Sequence, residues 1–302
     1  MKKTKVLGPS KNFLGIEDPS LYAYEESKVL IQSAPYEYTS SYLQGSAKGP
    51  QEILKASHYV EFYDEETDHE AFRKTGICTL KPYDFKNKVN EEALAYLYEK
   101  TKKHLAENKF IITLGAEHSV TAPLIKAHLE KHPGLKCLQI DAHSDLRMAY
   151  HNNPYSHASV MARVFEMEVP MAQVGIRAQC IEEADLRKAN PDTIKTWYAH
   201  QVHNSENWIE EILAFLKDSP VYVTIDADGF DPSVMPHVGT AEPNGLSWNQ
   251  GTRLLKEVAD NCQVVGFDIV EIAPQKGEIL TPFNCAKLVY KFLSYLSHQE
   301  KV

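Results

Sequence analysis

Short apolar runs alternate with longer segments of helical periodicity along most of the chain. The runs "KVLIQSA" (28–34), "FIITLG" (110–115), "LKCLQID" (135–141), "MAQVGI" (171–176), "PVYVTID" (220–226) and "QVVGFDIV" (263–270) are rich in Val, Ile and Leu. Several lack polar alternation, which predicts strands covered on both faces. Between them, apolar residues recur at helical spacing over 90–108, 119–132, 205–218, 247–261 and 284–299. In 90–108 the acids come early and the lysines late, as the helix dipole favours. The alternation predicts an α/β chain with a mostly parallel sheet and helices on both faces. No repeat, low-complexity tract or linker interrupts it, so one domain over 1–302 is expected. The first ~25 residues are expected to form a loosely ordered extension. By composition, 62–76, "FYDEETDHEAFRKTG", is expected to be equally poorly ordered.

In such sheets ligands gather beyond the carboxyl ends of the strands. Four of the predicted strands end in chemistry there. After "FIITLG" come Glu117 and His118, and after "LKCLQI" come Asp141, His143 and Asp145. After "VYVTI" come Asp226 and Asp228, and after "VVGFDIV" comes Glu271. In an extended chain, residues two apart point to the same side, so Asp141, His143 and Asp145 are expected to converge. The oxygen-plus-imidazole mix suits Mn, Fe or Zn rather than Ca. Four aspartates and two histidines exceed what one ion needs. They fit a pair of divalent ions sharing carboxylates, which acidifies a bridging water for hydrolysis. Each short motif alone has a bland reading as a helix cap or a buried histidine. Their joint occurrence at successive strand ends is what favours a metal site.

Composition removes other classes. Net charge is −9 and no long basic run is present, so a nucleic-acid partner is not expected. No segment reaches the length of a membrane-spanning helix, and no apolar signal core follows "MKKTKVLGPS". Five scattered cysteines, odd in number and never in a CxxC pair, read as reduced thiols rather than disulfides or a zinc-thiolate site. A cytoplasmic location is expected.

The segments "GAEHS", "DAHSD" and "TIDADGFDPS" followed by "GTAEPNGL" resemble, in order and spacing, the signatures of the ureohydrolases. That family holds arginases, agmatinases and related hydrolases of guanidino groups. "QGSAKGPQEIL" (44–54) also looks like the family's N-terminal stretch. The resemblance implies the three-layer α/β/α arginase/deacetylase fold, with an open, mainly parallel sheet of about eight strands. It implies two Mn²⁺ ions, one held by His118, Asp141, Asp145 and Asp226, the other by Asp141, His143, Asp226 and Asp228. By position, His157 in "SHASVMARV" matches the family's proton shuttle, and Glu271 the carboxylate that receives the guanidinium. Asp145 is expected to stabilise the tetrahedral intermediate and pass a proton to the leaving nitrogen. Homo-oligomers, trimeric or hexameric, are implied in the same way.

The chain also departs from the family pattern. It has "GAEHS" where "GGDHS" is common, Ala227 where a branched residue is common, and His237 where a small-residue run is common. "DLR…Y…SHAS…R" and Glu242-Pro243 resemble bacterial agmatinases, which points to agmatine plus water giving putrescine plus urea. Arginine, guanidinobutyrate and other guanidino acids remain open because Arg147 suits a carboxylate, although a solvated surface Arg is the blander reading. Glu182 and Glu183 are candidates for a distal ammonium, against the plainer reading as the acidic first turn of a helix over 181–189. His237 is a candidate for the substrate tail, against a structural reading. Two further readings come from other classes. Single-zinc amide deacetylases of the same fold lack the "DxHxD" plus "DxD" set. An inactive binding homologue would lack a ligand, and none is missing here.

Overall fold

The computed structural model describes residues 4–302. Eight strands form one sheet: β1 (Val29–Ala34), β2 (Ile77–Thr79), β3 (Phe110–Gly115), β4 (Lys136–Ile140), β5 (Met171–Ile176), β6 (Ile194–Tyr198), β7 (Pro220–Asp226) and β8 (Gln263–Val270). Their order is β2-β1-β3-β8-β7-β4-β5-β6, and every pairing is parallel. Parallel neighbours require crossovers, and the intervening helices supply them on both faces. Successive strand residues feed opposite cores. Val29 and Ile31 pack with the helices Gly49–Ser57, Trp208–Leu216, Trp248–Asn261 and Leu280–His298. Leu30 and Ile111 face the layer that contains Asn90–Ala106 and Thr121–Lys131. The four central strands β3, β8, β7 and β4 are the ones that end in acids and histidine, so the fold gathers those ends side by side.

Two strands escape the periodicity. β2 has three residues, too few to show a period. β6, "IKTWY", is an edge strand whose Lys195 is exposed, so its apolar pattern is broken.

Over the described residues, both segments expected to be loosely ordered make specific contacts. From residue 4 onward the N-terminal stretch is tied down: Leu7 N–H donates to Thr79 O, and Phe13 and Leu14 are buried in a 3₁₀ turn. In 62–76, polar composition conceals a buried ion pair. Lys291 Nζ, on the long C-terminal helix, lies 3.0 Å from Asp64 Oδ2 and 2.9 Å from Glu66 Oε1. Tyr290 OH donates to Phe62 O, and Ala71–Thr75 is helical. Lys291→Met would strand the buried Asp64 carboxylate without its cation. Stability is therefore expected to fall by ~3 kcal/mol, at the low end for a broken buried pair because Glu66 reaches solvent. An unchanged urea-denaturation midpoint would remove the ion pair from the account of this segment.

All five cysteines are free and four are buried. Among the described residues, no helix is long and apolar enough to cross a membrane.

Candidate functional site

His118 leaves β3 in a 3₁₀ turn and is fully buried. Its Nε2 lies 2.9 Å from Thr224 Oγ1, whose hydroxyl donates to Asp268 Oδ1 at 2.7 Å. Thr224 has given its proton away, so Nε2 carries a hydrogen and Nδ1 faces the other way. What it faces is acidic. Nδ1 lies 3.1 Å from Asp141 Oδ2, 3.1 Å from Asp145 Oδ2 and 3.3 Å from Asp226 Oδ2. It has no hydrogen-bond partner of good geometry. Burial lowers the basicity of His118, but Asp141, Asp145 and Asp226 outweigh it and raise its pKa well above the ordinary value, so these carboxylates call for a positive charge at Nδ1, a proton or a metal ion. Atoms held ~2.2 Å from one ion at right angles stand about 3.1 Å apart, so the donor set fits a metal ion.

A second group lies beside it. His143 Nδ1 is 3.1 Å from Asp228 Oδ2 and 3.7 Å from Asp141 Oδ1. Asp141 thus presents one oxygen to each histidine. Backbone amides orient the acids further: His143 N–H donates to Asp141 Oδ1 (2.6 Å), Ala142 N–H to Asp228 Oδ1 (3.1 Å) and Asp228 N–H to Asp226 Oδ1 (2.9 Å).

The convergence has a different cause from the extended chain expected. β4 stops at Ile140, and Asp145 has a φ of 52°. The chain turns through the left-handed region, which Asp tolerates better than most residues, and this brings Asp145 back to His118. Glu183 holds the turn: Oε1 accepts from Leu146 N–H (2.9 Å) and Oε2 from Cys180 N–H (2.6 Å).

The electrostatics follow from the crowding. Burial lowers the basicity of His143, but Asp228 and Asp141 outweigh it and hold its pKa up at about 12. Burial and the Asp141 charge push Asp145 up to about 7. Burial, Asp228 and Asp141 raise Asp226 well above the usual range. The metal-free site is short of positive charge, and two divalent cations would relieve that shortage.

A cavity of about 190 Å³ opens onto both groups. His157 and Glu271 line it, together with Ser41, Tyr42 and Gly239. Glu271 has φ 64°; its N–H donates to Ala116 O, and its Oε1 accepts from His118 N–H at 2.7 Å. Its Oε2 faces Gly239, where an added Cβ would stand only 3.3 Å away. His157 Nδ1 is 3.1 Å from Thr39 Oγ1 and Nε2 is 3.3 Å from Ser41 Oγ. Burial, with His118 and His143 nearby, pushes its pKa down to about 4.

The candidates for the substrate tail fare unevenly. Arg147 lines the cavity, with its guanidinium 5.3 Å from the Tyr150 ring centre. Glu183 is spent on capping the helix Ile181–Ala189, and exposed Glu182 lines a neighbouring hollow instead. His237 is not in the cavity wall; its backbone ties to Thr281 Oγ1 and Ala273 N–H, and Gly239 and Thr240 take the wall position.

Sequence reasoning missed the residues behind the acids. Asp268, buried in β8, accepts from Thr224, Tyr222 (2.8 Å) and Thr121 (3.1 Å). Gln139 Nε2 donates to Asp141 Oδ2 (2.7 Å), and Gln173, its register partner on β5, donates to Gln139 Oε1 (2.7 Å). The available signal was a polar residue inside each apolar run: Gln139 in "LKCLQID", Gln173 in "MAQVGI" and Asp268 in "QVVGFDIV".

Known proteins share this arrangement of chain and fold. The chain is 35% identical over 300 residues to the N(1)-aminopropylagmatine ureohydrolase of Synechocystis sp., covering 97% of this chain and 96% of that protein. It is 37% identical over 267 residues to a protein of the same name from Thermus thermophilus, covering 88% and 89%. The solved agmatine ureohydrolase of Thermoplasma volcanium superposes with a TM-score of 0.82 at 27% identity, covering 96% of each chain. The arginase family profile matches residues 27–294, and the protein therefore belongs to the arginase family.

Proposed function

We propose that the protein hydrolyses the guanidino group of an agmatine-type amine: R–NH–C(NH₂)₂⁺ + H₂O gives R–NH₃⁺ + urea. The single observation that carries this reading is that Glu271 lines the same cavity as His143, Asp145, Asp226 and Asp228, with its Oε2 facing Gly239 in the wall. A planar cation is best met by a fixed carboxylate edge. His118 anchors Glu271 through a backbone amide, so the guanidinium carbon would be held at a set distance from the cluster.

The two groups around His118 and His143 would hold two divalent ions, Mn²⁺ in first place, with Asp141 and Asp226 shared. When bound, such a pair supplies Lewis-acid polarisation and water acidified towards neutral pH. The chain's own side chains do the rest. Glu271 accepts guanidinium N–H bonds and fixes the plane of the head group. Asp145, beside His118 and in the cavity wall, is placed to carry a proton to the departing amine nitrogen. His157 lies at the cavity wall and hands protons to solvent. Asp228→Asn is expected to lose one ion and nearly all turnover.

Agmatine is the substrate that the sequence pattern favours. Agmatine carrying an N1-aminopropyl extension is the compound in the names of the relatives from Synechocystis and Thermus. Both offer the same guanidinobutyl end. Arg147 at the cavity favours one other reading, a guanidino acid whose carboxylate it would meet. Urea release by the Mn²⁺-loaded protein, with agmatine, its N1-aminopropyl derivative, arginine and guanidinobutyrate side by side, separates these. Urea from either amine and not from the two acids is the expected result. Urea only from an acid moves the assignment to Arg147. No urea from any of the four, with two ions bound, ends the proposal.

A further inference from the structure

Between β1 and the helix Gly49–Ser57 the chain runs through 35–48 with little regular structure, and 41–44 lie exposed over the cavity. Ser40, Ser41, Tyr42 and Leu43 form one wall of it. The amides of this segment have no strand ladder to satisfy them. Two carboxylates take that place. Glu37 ties the far end to the near one, accepting from Gly45 N–H at 2.7 Å and Ala47 N–H at 3.0 Å. Glu117, fully buried, ties the segment to the site: Oε2 accepts from Tyr38 N–H (2.8 Å) and Thr39 N–H (2.7 Å), while Oε1 accepts from Ser119 Oγ (2.5 Å). Thr39 passes the connection on. Its Oγ1 accepts from His157 N–H at 3.0 Å and lies 3.1 Å from His157 Nδ1.

We infer that Glu117 is a positioning residue that sets the segment 38–43, whose residues 40–43 form the cavity wall, and through Thr39 the His157 ring, in register with the turn that carries His118. The inference rests on the proposed reaction for its kinetic readout only. Nothing in the geometry makes Glu117 touch substrate: both oxygens are occupied by donors, and it is not in the cavity wall. Its length matters because one oxygen must span to two successive amides while the other stays on Ser119. Hydrogen bonds that backbone N–H groups donate to a buried carboxyl oxygen are among the stronger ones, so the clamp fixes the wall rather than resting on it.

The test uses the metal-loaded full chain and the variants Glu117→Ala, Glu117→Gln and Thr39→Val. In Glu117→Ala the metal content should stay at its parental value, amide exchange at Tyr38 and Thr39 should speed up at least ~10-fold, and kcat/KM should fall ~10–100-fold. Thr39→Val should lower kcat/KM by a similar factor, and the double variant should be no worse than the more impaired single one, since both act through one connection. Glu117→Gln keeps a carbonyl oxygen for the two amides and should lose much less, which also covers the case in which Glu117→Ala fails to fold. Unchanged exchange over 38–43 in Glu117→Ala, loss of metal, or multiplicative losses in the double variant would each overturn the inference. The exchange and metal readouts stand even if no guanidino compound proves to be a substrate, so failure of the proposed reaction is distinguishable from failure of the clamp.

Discussion

Asp226→Asn should empty the site of metal and lower urea release by roughly 10³-fold or more, the scale on which charge-stabilising groups act. Asp226 ends β7, with Oδ2 3.3 Å from His118 Nδ1 and Oδ1 accepting the Asp228 amide at 2.9 Å. Oδ2 faces the His118 group and Oδ1 holds the amide of Asp228, and its charge is felt by Asp228 and Asp141. The carboxamide can still accept from Asp228 N–H, and the local backbone has no reason to move. What changes is charge and one donor atom. The sign of the stability effect is the sharper test. In the metal-free protein Asp226 adds to a crowd of buried acids, and removing one should leave the metal-free melting temperature unchanged or higher. In the parent, bound metal stabilises the native state by mass action, about 2.7 kcal/mol for one site at a hundredfold excess over Kd. A chelator should therefore lower the melting temperature of the parent and leave that of the variant where it was. Parental metal content and rate in Asp226→Asn would remove this residue from the metal assignment.

How much of this was legible in the sequence depends on the range over which each signal acts. Met171–Ile176 and Gln263–Val270 were readable because buried parallel strands are continuous apolar runs. Ile77–Thr79 was not, because three residues carry no period. At the site, Asp226 and Asp228 stand out as a spaced pair directly after an apolar run, a local pattern. A strand argument places Asp145 among the candidates, yet it reaches His118 through a left-handed turn. The composition of "DAHSD" was informative even though the geometry inferred from it was not. Gln139, Gln173 and Asp268 were visible as polar letters in apolar runs, but their meaning depends on register between strands. The cavity wall was least legible. Tyr42 and Gly239 lie some two hundred residues apart in sequence, and only the sheet order brings their loops together. Glu183 shows the opposite limit: an acid near the site in sequence can be consumed by a helix cap.

The second large effect is expected from Glu271→Gln, and here metal should stay. Oε1 of Glu271 accepts from His118 N–H at 2.7 Å, a bond that the carbonyl oxygen of Gln preserves. The backbone N–H of residue 271 still donates to Ala116 O, so the turn that delivers the side chain is kept. The change falls on the other atom, which faces Gly239 in the cavity wall. An amide nitrogen there presents hydrogens to a guanidinium that has only hydrogens to offer. Truncating one partner of a buried, hydrogen-bonded charge pair costs about 2–5 kcal/mol, or roughly 30- to 5,000-fold in kcat/KM. Uniform loss of binding would raise KM alone. If Glu271 also holds the head group in its reacting orientation, kcat falls with it. Metal analysis of the purified variant and steady-state urea release decide between these. Loss of metal would make Glu271 a support for His118 rather than a substrate contact. A parental KM and kcat with metal in place would mean that the guanidinium is held elsewhere in the cavity, and Asp145 and Asp228 would be the next carboxylates to test.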